Sequence, residues 1–113
     1  MGTLYYGGTV GEIEVPDRLL AHLKVVITTK LRRHESFTLT LRHLDGDVGG
    51  RSTIWLGPSI PLRFVFDSSE VEMLDAELLQ RFALDANSSA GLVIDLAAEQ
   101  AADSEVRPLK IVA

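Results

Sequence analysis

The sequence predicts an α+β domain of two layers: a mainly antiparallel sheet with two helices packed on one face, in the order β-β-α-β-β-β-α-β. Three observations carry this expectation. In Asp17–Arg33, the residues Leu19, Leu20, Leu23, Val26, Ile27 and Leu31 close one stripe on a helix. In FTLTLRH, Phe37, Leu39 and Leu41 alternate with Thr38, Thr40 and Arg42, the signature of a strand with one buried face. In AELLQRFALDAN, Leu78, Leu79, Phe82 and Ala86 form a second helical stripe. One stripe per helix and one apolar face per strand are satisfied together when helices cover one side of a sheet.

Taken in order, Leu4–Tyr6 and Thr9–Val15 are predicted strands, joined by a two-residue turn at Gly7 and Gly8, with Gly11 as a candidate bulge. Asp17, after Pro16, is the expected N-cap of the long helix, and Lys30, Arg32 and Arg33 suit its negative end. His22 is expected on the exposed, polar side of that helix. After the strand at Phe37, the run LDGDVGG is a turn. RSTIWLG and LRFVF are further strands, separated by a rigid corner at Pro58 and Pro61. Asp75 is the expected N-cap of the second helix, and Asn87 or Gly91 its left-handed stop. LVIDL is the last regular strand. Residues 1–96 are therefore the expected domain. From Ala97 an Ala-rich acidic tail is either a short helix or loose, with LKIVA available as an edge strand.

Composition narrows function mainly by exclusion. The chain of 113 residues has no cysteine, which removes disulfides, thiolate nucleophiles and Cys-based metal centres. No apolar run approaches the ~18 residues a membrane span needs, and the N-terminus lacks the basic and apolar regions of a secretory signal. A cytoplasmic protein without membrane partners is expected. The net charge of −5 hides an asymmetry, with arginine and lysine gathered before Phe64 and carboxylates after it. That is either a basic binding face or two regions that attract each other.

No catalytic motif emerges. GGTVG has neither phosphate-loop spacing nor a helix behind it. GPSIP differs from a nucleophile elbow in its last position, Pro61. Asp45 and Asp47 are too few ligands for a calcium loop, and His22, His34 and His43 show no paired spacing. No metal ligand set, cofactor or catalytic residue is therefore expected. Lys30 stands out because helical spacing puts it inside the apolar stripe. It either packs its stem while the ammonium escapes at the helix end or aims a cation into a cleft.

If the apolar sides of the strands face the helices, the other sheet face carries Thr38, Thr40, Arg42, Thr53, Trp55 and Arg63. Arg42, Thr53, Trp55 and Arg63, with Lys30, are the candidate binding residues. The leading expectation is a non-catalytic domain that engages a protein partner or a second copy through the face around Trp55. The alternative is binding of nucleic acid or another phosphate ligand, arginine taking phosphate and tryptophan stacking a base. A small enzyme of unknown chemistry is the third.

At KLRRHESF and GRSTIWLGPSIPL the sequence resembles a small single-domain family of actinobacterial proteins without established function. Its members open with a Gly- and Tyr-containing strand, an EIEV-like strand and a HLKVVI-like helix, and the resemblance runs from Met1 to about Leu96. It implies a shared fold. Members often carry the label of ATP-dependent DNA ligase, a chemistry that needs the nucleophilic lysine of KxDG. Here His43-Leu44-Asp45-Gly46 has histidine in that place.

Overall fold

A computed structural model of the chain describes residues 1–8, 11–44 and 49–99, together with the backbone of 110–112. The expected class and element order are found: β1 (Gly2–Tyr6), β2 (Gly11–Val15), α1 (Asp17–Arg32), β3 (Phe37–Arg42), β4 (Arg51–Leu56), β5 (Leu62–Val65), β6 (Met73–Asp75), α2 (Ala76–Ala86), β7 (Leu92–Asp95) and β8 (Lys110–Val112). The three-residue strand β6 is an addition to the expected order, and β8 lies in the LKIVA run available as an edge strand. They pair antiparallel, Leu74 opposite Ile111. Residues 96–99 are helical. No helix among the described residues is long and apolar enough to cross a membrane.

The strands form two three-stranded sheets, β2-β1-β5 and β4-β3-β7. Most pairs are antiparallel, and β3 with β7 is parallel. The chain enters β7 through Gly91, whose φ of 77° is left-handed. A side chain there would also collide with Thr38, so glycine is required twice over. The expected left-handed stop of α2 is not found: Asn87 is the C-cap with right-handed geometry (φ −86°), and the left-handed Gly91 follows four residues later, at the entry to β7 rather than at the helix end.

Helix α1 forms for the reason its stripe suggests. Leu19, Leu20, Leu23, Val26 and Ile27 are buried, and they join Leu4 and Val15 of the first sheet and Leu39, Leu41 and Leu56 of the second in one core. Helix α2 adds Leu78, Phe82 and Ala86, and β7 adds Leu92 and Ile94. Burial on that scale is the main favourable term in folding.

Three local expectations are corrected. The N-cap of α1 is Pro16, whose carbonyl accepts from Leu20 N–H at 2.9 Å. The Asp17 carboxylate turns instead to the chain after β5, accepting from the backbone N–H groups of Asp67 and Ser68 at 3.2 and 3.1 Å. In the first hairpin Tyr6 pairs with Gly11 in regular register, so Gly11 is a strand residue of the ladder and not a bulge. Gly7 has the expected positive φ, whereas Thr9 and Val10 lie outside the described residues, as do Asp45–Val48 of the LDGDVGG turn. His22 is fully buried rather than exposed. Its Nε2 accepts from Asp75 N–H at 2.8 Å, and Nδ1 lies 2.6 Å from the Arg18 carbonyl. Because β6 closes over this part of α1, a position that looks polar on the helix alone becomes interior.

Candidate functional site

Alternation along β3 and β4 sends Phe37, Leu39, Leu41, Ile54 and Leu56 into the core. It therefore sends Thr38, Thr40, Arg42, Arg51, Thr53 and Trp55 to the opposite face. Register then aligns them in rows. Thr38 lies opposite Trp55, Thr40 opposite Thr53, and Arg42 opposite Arg51. On the other side of β3, Thr40 lies beside Val93 and Arg42 beside Asp95. The hydroxyls of Thr40 and Thr53 are 2.8 Å apart, and Arg42 Nη1 is 4.0 Å from Asp95 Oδ2. Trp55 is 59% exposed and Val93 44% exposed. The face is thus graded, from an aromatic end at Trp55, through hydroxyls and one valine, to a charged end at Arg51, Arg42 and Asp95.

Three of the five candidate residues, Arg42, Thr53 and Trp55, come together here. Arg63 does not join them: β5 pairs with β1 in the other sheet, and Arg63, directly opposite Tyr5, holds its guanidinium 5.6 Å from that ring's centroid. Lys30 lies elsewhere again, at the junction of the helix ends. Its ammonium donates to Asn87 Oδ1 at 2.7 Å, pairs with Glu35 Oε1 at 3.1 Å and sits 5.7 Å from the Phe37 ring centroid. It is 9% exposed. Lys30 also lines a groove of about 330 Å³ with Val26, Thr29, Leu79, Ala83 and Asn87. A cation with this many partners ties α1 to α2 and to β3.

Sequence reasoning passed over Arg51 and Val93. Arg51 was legible, since it is two residues from Thr53 on the same strand face. Val93 was not, because only the long-range pairing of β7 with β3 brings it here. A second feature, without any spacing signal, is the hydrogen-bond contact of His43 Nε2 with Ser52 Oγ at 2.8 Å. The pair lines a cavity of about 500 Å³ together with Glu12, Glu14, Ile13, Leu41 and Leu96. No group of three His, Cys, Asp or Glu able to hold a metal is found among the described residues.

The fold and the outer face define a small α+β domain with an open sheet surface. The chain belongs to the family described as a domain of unknown function, DUF7882, whose model matches residues 1–97. No curated protein and no solved structure matches it.

Proposed function

We propose that this chain is a cytoplasmic, non-catalytic interaction domain that associates with a second copy of itself through the sheet face around Trp55. The observation that carries the reading is the 59% exposure of Trp55, the chain's one tryptophan, in an ordered strand. A large aromatic held rigidly in water contributes little to its own fold. Burying it against a partner recovers apolar contact at small entropic cost, which is why such residues anchor interfaces. The neighbouring Thr53, Thr40 and Val93 are small enough to let a partner approach the ring. Binding of nucleic acid draws on the same Trp55 with Arg42. Against it stand the separation of Arg63 in the other sheet, the carboxylate of Asp95 beside Arg42, and a single aromatic where base-stacking sheets use two or three.

Tryptophan fluorescence distinguishes these outcomes. The emission is expected to shift with protein concentration and to ignore an added single-stranded oligonucleotide. Sedimentation is expected to show a dimer that Trp55→Ala weakens at least tenfold, with an unchanged far-UV spectrum. An oligonucleotide response that falls as salt rises, because bound phosphates release counterions, would replace this reading with the nucleic-acid one.

A further inference from the structure

We infer that the second copy adds along the free edge of β4, antiparallel and centred on Thr53, so that Arg51 of each copy lies over Trp55 of the other. This rests on the reading of the Trp55 face as a self-association surface, and adds the edge, the direction and the register.

Among the described residues no strand pairs with the other edge of β4. A bare edge offers its backbone donors and acceptors to any passing strand, and proteins normally guard it with charges, proline or brevity. The other edges of the two three-stranded sheets carry such guards. Edge strand β2 exposes Glu12 and Glu14. β5 has four residues, follows Pro61 and carries Arg63. β7 has four residues and ends on Asp95. β4 is longer, six residues reading RSTIWL, with its one charge at the very end and no proline or glycine. It combines length and β-forming residues with an open edge, and is the segment whose exposure most calls for a partner.

The outward-facing residues of β4 are also their own complement. Paired antiparallel about Thr53, the outer face reads Arg51 opposite Trp55, Thr53 opposite Thr53, and Trp55 opposite Arg51. A twofold axis through Thr53 makes the contact self-complementary, as a closed dimer requires. On the inner side Ser52 lies opposite Ile54. Shifting the partner by two residues puts Trp55 opposite Thr53 and removes Arg51 from the ring, so chemistry selects the register. The molecule already contains the contact that this pairing predicts. Arg63 and Tyr5 are directly opposite on antiparallel strands, and the guanidinium stands 5.6 Å from the ring centroid, within the range of cation–π attraction. Arg51 against the partner's Trp55 repeats that geometry with a stronger π partner. The product is a continuous sheet in which β4 is internal and both copies of Trp55 are covered by arginine.

The absence of cysteine makes the register directly readable. The full-length chain carrying Thr53→Cys is expected to form a cross-linked dimer with a short bis-maleimide, because the axis places the two thiols side by side. The same reagent is expected to leave the chain carrying Leu84→Cys, exposed on α2, monomeric. In the otherwise unaltered protein, Arg51→Glu is expected to weaken the dimer at least tenfold in sedimentation. Hydrogen exchange of β4 amides is expected to slow as concentration rises. A dimer that depends on Trp55 but cross-links through Val93→Cys and not Thr53→Cys would overturn the edge register while leaving the Trp55 face intact. A chain that stays monomeric at all concentrations would overturn both.

Discussion

The imidazole of His22 is held between two backbone groups, and that fixes its chemical form. A backbone N–H can only donate, so Nε2, which takes Asp75 N–H at 2.8 Å, is the acceptor nitrogen. A carbonyl can only accept, so Nδ1, 2.6 Å from Arg18 O, carries the proton. The ring is the neutral Nδ1–H tautomer, a polar peg in an apolar setting. Asp75 completes the junction: its Oδ1 accepts from Glu77 and Leu78 N–H as the N-cap of α2, and its Oδ2 lies 3.4 Å from Arg18 Nη2. His22→Phe keeps the volume and the apolar packing but leaves Asp75 N–H without its acceptor. An unsatisfied buried donor costs about 1–3 kcal/mol, and that is the loss expected in urea melts. An unchanged midpoint would show that β6 can move to let water reach the amide. Lys30 follows the same logic at the other end of the helices. Its stem lies in the apolar stripe, as spacing suggested, but its ammonium ends on Asn87 and Glu35 rather than in open solvent.

Among the elements, α1 shows where local signals suffice and where they stop. Its apolar stripe from Leu19 to Ile27 and its end at Arg33 were legible, because helical periodicity is set within a few turns. The geometry of that end was not. Arg33 is the C-cap and His34 has a φ of 59°, with Glu35 N–H returning to Lys30 O at 3.1 Å. This is a left-handed helix stop of the kind that glycine usually fills, made here by histidine, and nothing in KLRRHES announces it. A left-handed residue with a Cβ is strained by roughly 1–2 kcal/mol. Since the His34 side chain is exposed, His34→Gly is expected to raise stability by about 0.5–1.5 kcal/mol, the entropy of the unfolded glycine taking back part of the gain. A rise in the urea midpoint with an unchanged slope would match this; a fall would mean that the imidazole makes a contact stronger than the strain. The strands divide in the same way. Alternation identified the buried faces of β3 and β4 correctly, yet it fixes a face only within a strand's own sheet. Arg63 was grouped with Arg42 because both point away from the core, and the groups part because β5 chooses β1. Strand β6 went unseen because three residues hold no period, and with it went the cover that buries His22.

At the scale of the whole molecule, the buried apolar residues run from Leu4 to Leu96 among the described residues, and the family match ends at residue 97. We propose on that basis that the segment up to about the end of β7 and its following helical residues is the folding unit, and that strand β8 is an accessory to it. β8 touches the fold through β6 alone in the sheet pairing, Met73 with Val112, Leu74 with Ile111 and Asp75 with Lys110. Its removal uncovers one three-residue edge and leaves both three-stranded sheets complete. A chain ending after Glu99 retains the contact of that residue with Arg81. It is therefore expected to keep its far-UV spectrum and a single cooperative melt, at a lower midpoint than the full chain because Leu74 loses its partner strand. It is also expected to dimerise as the full chain does, since β4 belongs to a different sheet from β6. Deletion tests the two halves separately. Loss of the cooperative melt would make residues 100–113 part of the fold. A cooperative fold that no longer dimerises would move the contact from β4 to the segment removed.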